Sequence, residues 1–87
     1  MNNTEAAKNY KALANRRRLD ILDLLLKEEL NVSEIAEKIN LSYRSTSRHL
    51  QVLKNANLVK STQERLEQYY SIADKFNIFI KHFLTVK

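Results

Sequence analysis

Leu41-Ser42-Tyr43-Arg44-Ser45-Thr46-Ser47-Arg48-His49-Leu50-Gln51-Val52-Leu53-Lys54-Asn55-Ala56 is the stretch on which the fold turns. Ser42 is a helix-capping residue type, so a helix is expected over residues 42–56. At ~100° per residue, Thr46, Leu50 and Leu53 gather on one side, as a core-facing stripe does. Arg44, Ser47, Arg48, Gln51 and Asn55 gather on the other, a small, polar and cationic face without a carboxylate. Just upstream, Asn31 followed by Glu34 reads as a capping box, in which each side chain satisfies the other's backbone N–H. It opens a short helix with Val32, Ile35, Ala36 and Ile39 at i, i+3, i+4 and i+7, and Asn40-Leu41 is the turn between the two helices. Two short helices joined in this way, the second with such an outer face, describe a helix-turn-helix. The N-terminal part of its second helix is the part that enters a major groove.

Working outward, Asn57 is the residue type here that best tolerates a left-handed C-cap. Residues 58–63 and 67–72 favour strands, with Val59, Thr62, Tyr69, Tyr70 and Ile72 as β-formers. Glu64-Arg65-Leu66 suits the tip between them, so residues 58–72 read as a hairpin, or wing. Asp74 is placed to cap a last helix. Upstream, a helix is expected over residues 4–14, and Asn15 caps a second over 16–28 with Leu19, Leu22, Leu25 and Leu26 facing inward. The expected fold is mainly α with a β-hairpin wing (α+β), a winged helix-turn-helix in the order ααααββα, as one domain over residues 1–87.

With 87 residues the chain has room for one core. A domain of that size buries only about 60–65% of its unfolded surface, which leaves it marginal as a monomer. The absence of Cys excludes disulfides, thiolate metal sites and a cysteine nucleophile, and the absence of Gly excludes phosphate-cradling glycine loops. No apolar run approaches a membrane span, and Met1-Asn2-Asn3-Thr4-Glu5 does not read as a secretory leader. A cytoplasmic, nucleoid-associated protein is expected. Fifteen Lys and Arg stand against ten Asp and Glu. The excess is concentrated: from Lys38 to Gln63 there is no acid, and Lys38, Arg44, Arg48, Lys54 and Lys60 are unopposed. Such a field favours an anionic partner.

Leu13-Ala14-Asn15-Arg16-Arg17-Arg18-Leu19-Asp20-Ile21-Leu22 resembles the Leu-Ala-Asp-Pro-Thr-Arg-Leu-x-Ile-Leu opening of ArsR-type winged-helix repressors. Val32-Ser33-Glu34-Ile35-Ala36 resembles their first helix-turn-helix segment. Residues 41–50 resemble the recognition segment, usually Leu-Ser-Gln-Ser-Thr-Val-Ser-Arg-His-Leu. Asn57-Leu58-Val59 stands where Gly-Leu-Val is usual, and Tyr69-Tyr70-Ser71-Ile72 resembles the returning wing strand. The resemblance implies a homodimeric, operator-binding transcriptional repressor with its first and last helices at the dimer interface. It also marks departures. The thiolate pair of the family's metal-sensing segment is missing from Glu29-Leu30-Asn31-Val32-Ser33-Glu34-Ile35, so soft metals lose their ligands. At the family's second metal site Asp74 is present, but Phe76 replaces the first His and the second pair would lie beyond Lys87. Neither metal site is expected, nor any cofactor.

The candidate DNA-binding residues are Ser42, Tyr43, Arg44, Ser45, Ser47, Arg48, His49, Gln51, Lys60, Gln63 and Arg65. Arg44 and Arg48 lead, because a guanidinium fork takes guanine O6 and N7 together, or a phosphate bidentately. Tyr43 is open between stacking on a sugar or thymine methyl and simple packing. Ser42 is first a cap, to which a phosphate contact is an addition. Ser45 and Ser47 either let the helix sit close to the groove floor or are neutral surface residues. His49 is open between an intramolecular hydrogen bond and a DNA contact. Lys60, Gln63 and Arg65 belong to the wing, and Arg65 stands where the family usually has glycine. Arg16, Arg17 and Arg18 read as a solvated run or an ion pair with Asp20, with a phosphate contact as the lesser reading. His82 is given no role.

Tyr10, Leu13, Phe76, Phe79, Ile80, Phe83 and Leu84 are the candidate dimer-interface residues. With Val86, the last-helix members form a stripe about 160° wide, broader than the ~100° a one-sided helix needs. The sequence therefore points to a non-enzymatic regulator that binds double-stranded operator DNA as a homodimer, without a membrane and with no effector named by its residues. No paired carboxylates, nucleophile elbow or phosphate loop supports catalysis. The rival reading is a winged-helix protein-interaction module without sequence-specific DNA binding. That module would carry an apolar or acidic outer face where Arg44, Ser47, Arg48 and Gln51 stand.

Overall fold

The first four helices start where a side-chain oxygen takes up a backbone N–H that the first turn leaves unpaired. Asn2 accepts from the N–H of Glu5 at 2.8 Å, Asn15 from that of Arg18 at 3.1 Å, Asn31 from that of Glu34 at 2.8 Å, and Ser42 from that of Ser45 at 3.1 Å. At Asn31 the capping box closes, since Glu34 Oε1 accepts from the Asn31 N–H at 2.9 Å. In this computed structural model, which describes residues 2–85, the caps open α1 (Asn3–Leu13), α2 (Arg16–Leu25), α3 (Val32–Ile39) and α4 (Tyr43–Asn55). Without glycine, the left-handed positions fall to other residues: Asn40 (φ 55°) ends α3 and Asn57 (φ 61°) follows α4. Asn takes that conformation at less cost than other side chains because its amide bonds locally.

After α4 the chain forms a hairpin. One strand (Val59–Glu64) and the next (Glu67–Ile72) pair antiparallel, in register from Val59↔Ile72 to Glu64↔Glu67. A further strand precedes them. Leu30–Asn31 pairs antiparallel with the hairpin's second strand, Leu30 opposite Tyr70 and Asn31 opposite Tyr69. In chain order these are β1, β2 and β3, and the sheet runs β1-β3-β2. The expected order ααααββα therefore gains a strand between α2 and α3. Asn31 serves twice, as a β1 residue and as the cap of α3.

Other boundaries shift for local reasons. The second helix ends at Leu25 rather than near residue 28. The hairpin tip narrows to Arg65-Leu66 because Glu64 pairs with Glu67. Asp74 does not cap the last helix: Ala73 occupies the cap position, a 3-10 turn (Asp74–Phe76) intervenes, and α5 spans Asn77–Thr85. The Asp74 carboxylate instead faces Lys60 Nζ at 3.3 Å. The expected contribution of Val86 lies outside the described residues.

One core joins all these elements. Leu13 of α1, Ile21, Leu22 and Leu25 of α2, Leu30, Ile35 of α3, Leu50 and Leu53 of α4, Leu58, Ile72 and Ile80 of α5 are buried in one cluster. It holds α4 by its inner stripe and leaves the opposite face outward, with β2 and β3 projecting beside it. Helix, turn, helix and hairpin in this arrangement are a winged helix-turn-helix.

Candidate nucleic-acid interface

The outer face of α4 is where the sequence placed it. Thr46, Leu50 and Leu53 are fully buried, while Arg44, Arg48, Gln51 and Asn55 are exposed and Ser47 is half-buried. Gln51 Nε2 donates to Asn55 Oδ1 at 3.0 Å, one turn along the helix. Among the described residues neither Arg44 nor Arg48 has a hydrogen-bond or ion-pair partner in the protein. Two unpaired like charges at i and i+4 lower helix stability by a few tenths of a kcal/mol. They are available to an external anion.

Tyr43 resolves toward the surface: it is 59% exposed, so packing does not account for it. With Ser33, Ser47, Gln63, Gln68 and Tyr70 it lines a groove of about 400 Å3 between the helix-turn-helix and the wing. Burial, and then the neighbouring Tyr43, raise the Tyr70 phenol above its ordinary value. Residues alternate along β2, and Val59, Ser61 and Gln63 share the side facing α4. Lys54 Nζ on α4 ties that side down through Ser61 Oγ at 2.8 Å. Gln63 thus joins the α4 face.

Lys60 does not join it. It lies on the other side of β2 at the root of the hairpin, with Asp74 as its partner. Arg65 sits at the tip with φ 57°, keeping the left-handed conformation for which glycine is usual, and Gln63 Nε2 donates to its carbonyl at 2.9 Å. Glu64 and Glu67 flank that tip, and Leu66 beside them is 95% exposed.

Of the arginines at the start of α2, Arg16 is exposed, as a solvated run would have it, while Arg17 and Arg18 bond within the fold. The expected pairing of Arg16 or Arg17 with Asp20 does not form. Arg17 Nη1 donates to the carbonyl of Ile39 at the end of α3, at 2.7 Å. Arg18 donates through Nε to the carbonyl of Ala12 at 2.6 Å and through Nη2 to that of Lys11 at 3.1 Å. Its Nη1 lies 3.3 Å from Nδ1 of His49 on α4. The intramolecular reading of His49 is thereby realised. Burial first, then the charges of Arg18, Arg17 and Arg48, hold the His49 imidazole below its ordinary value. Sequence reasoning missed Arg18, because nothing local links it to a residue 31 positions away.

On α1 and around α5, four of the expected interface residues, Leu13, Phe76, Ile80 and Leu84, are buried in the chain's own core. Tyr10 (66% exposed) and Phe79 (43%) remain open, with Phe83 half-buried. Ile78, outside the expected stripe, is 84% exposed. The Phe79 ring lies 6.3 Å from that of Phe76 and 6.1 Å from that of Phe83, centroid to centroid. The result is an aromatic surface shared by α1 and α5. Among the described residues no helix is long and apolar enough to cross a membrane.

Comparison with known proteins converges on one family. The family model described as bacterial regulatory protein, arsR family, matches residues 15–61. An HTH-type transcriptional regulator of Mycobacterium tuberculosis is 45% identical over 69 residues, 79% of this chain and 30% of that protein. The transcriptional activator HlyU of Vibrio cholerae is 38% identical over 72 residues, 83% of this chain and 67% of that protein. The nodulation protein NolR of Rhizobium meliloti is 44% identical, and the match spans 54% of its length. In the solution structure of a homodimeric winged helix-turn-helix DNA-binding domain from Mycobacterium bovis, a possible ArsR-family regulator, the fold agrees with a TM-score of 0.91. That similarity is at 38% identity and covers 95% of this chain and 78% of that one. With the family model covering more than half of the chain, and the fold agreeing nearly end to end, the protein belongs to the ArsR family of bacterial regulatory proteins.

Proposed function

We propose that the chain is a sequence-specific, double-stranded DNA-binding transcriptional repressor that works as a homodimer in the cytoplasm on an inverted-repeat operator. The observation that carries this reading is the outer face of α4, where Arg44 and Arg48 stand unpaired on a surface without a carboxylate. Arg44, at the N-terminal end of α4, reads a base edge through its guanidinium fork, and Arg48 reads a base or grips a phosphate. Ser42, Ser45 and Ser47 keep the helix close to the groove floor, while Tyr43 and Gln51 contact the rim. The wing, through Gln63 and Arg65, follows the adjoining backbone, whereas Lys60 is given to Asp74. Two recognition helices about 34–36 Å apart meet successive major grooves, and occupancy blocks transcription. The aromatic surface of α1 and α5 joins the subunits.

The relatives include a transcriptional activator, HlyU, and a transcriptional repressor, SdpR of Bacillus subtilis, 36% identical to this chain. Regulation of transcription is common to both names, with opposite signs. The test is selection from a random duplex pool with the purified chain. An enriched inverted repeat with half-sites one helical turn apart is expected. A pool that enriches nothing, while a protein partner is captured through α4, would establish the interaction-module reading instead.

A further inference from the structure

We propose that Arg18 is a positioning residue for DNA binding, a joint that fixes the recognition helix against the helix carrying the subunit-facing surface. This rests on the DNA-reading function proposed above. The Arg18 guanidinium bonds two carbonyls at the end of α1, that of Ala12 and that of Lys11, which also accepts from the Ala14 N–H at 3.3 Å. Its third contact is Nδ1 of His49, between Arg48 and Leu50 on α4. Arginine keeps its protons under all relevant conditions, so it is the donor and Nδ1 is the acceptor. The neutral imidazole therefore carries its proton on Nε2. Arg18 spans α1, α2 and α4 with one planar group, and α1 also bears Tyr10 at the aromatic surface. A shift of α1 on subunit association thus acts on α4 through this group, and the distance between two recognition helices follows from it.

His49 is the point at which this joint opens. Protonated imidazole has hydrogens on both nitrogens and cannot accept from Arg18. The charged groups facing it are Arg18 and Arg17 from α2 and Arg48 on its own helix, and Lys8 and Lys11 of α1 line the groove beside Arg18. All are cations, so protonation is opposed until the pH falls below the ordinary histidine value. The sign then distinguishes two roles. A histidine that touches DNA phosphate binds more tightly when protonated, whereas the acceptor of Arg18 loses its bond.

The test combines imidazole 15N spectra of the free chain with affinity for the selected duplex. The free chain is expected to show His49 as the Nε2–H tautomer, a result independent of DNA. Wild-type affinity should hold near about pH 7.5 and fall only as the pH drops below the ordinary histidine value of about 6.5. His49→Gln, which keeps an acceptor oxygen, should hold affinity and lose the pH dependence; His82 is present in both proteins and cancels. Arg18→Met and His49→Leu, assayed below their melting transitions, should each lose about tenfold in affinity. An Nδ1–H tautomer, affinity that rises on acidification, or folded Arg18→Met and His49→Leu at wild-type affinity would each overturn the joint. Loss of all duplex binding by the wild type would count against the proposed function, and the tautomer would still decide the Arg18–His49 bond.

Discussion

At the scale of single residues, two positions hold the chain below the stability its fold allows. Thr46 is fully buried at the centre of the helix-turn-helix, and its hydroxyl has no hydrogen-bond partner. A buried hydroxyl left unpaired costs about 1–3 kcal/mol. Thr46→Val keeps the branched shape and should raise the unfolding free energy by about 1 kcal/mol or more in urea titration. Arg65 holds φ 57° without glycine, at a cost of order 1 kcal/mol. Arg65→Gly should stabilise by less than that, because glycine also loosens the unfolded chain. The caps at Asn15, Asn31 and Ser42 were legible because a cap is a relation across three residues. The guanidinium of Arg18 was not, since its acceptors come from the end of another helix and from His49, and no spacing rule joins them.

At the scale of elements, the helix-turn-helix was readable because α3 and α4 are periodic and capped. The strand β1 was not, because two residues have no period and Leu30–Asn31 is a strand only through its pairing with β3. The start of α5 was misread for a similar reason: Asp74, a capping residue by type, turns to Lys60 across the fold. The wing carries a conflict of its own. Glu64 and Glu67 oppose each other across the hairpin, and like charges in that position are destabilising. Glu67 is held by Asn31 Nδ2 at 2.9 Å, which leaves Glu64 as the one to change. Glu64→Lys should stabilise the hairpin by about 0.2–1 kcal/mol. If the wing follows the DNA backbone, it should also steepen the dependence of binding on log salt by about one unit, measured by anisotropy titration.

At the scale of the whole molecule, the unpaired arginines lie on α4 and the exposed aromatic surface lies on α1 and α5. The acid-free stretch from Lys38 to Gln63 became the end of α3, all of α4 and most of β2, but its charge is divided: Arg44 and Arg48 share the outer face of α4, while Lys60 is paired with Asp74. The wide apolar stripe of the last helix was legible as a stripe, but its division was not. Phe76, Ile80 and Leu84 complete the chain's own core, and Phe79, Ile78 and Tyr10 are left exposed. Phe79→Glu places a charge on that surface without touching the core. The variant should sediment as a monomer at concentrations where the wild type is a dimer, and a dimeric Phe79→Glu would move the interface elsewhere. The central claim is that the outer face of α4 reads sequence. Fluorescence anisotropy with the DNA upstream of the protein's own gene tests it most directly, beside a scrambled duplex, at about 50 mM and about 200 mM salt. Tight binding to the upstream duplex alone, weakened by about 1–3 kcal/mol in Arg44→Ala, is the predicted result. Equal, steeply salt-dependent binding to both duplexes, unchanged in specificity by Arg44→Ala, would contradict it.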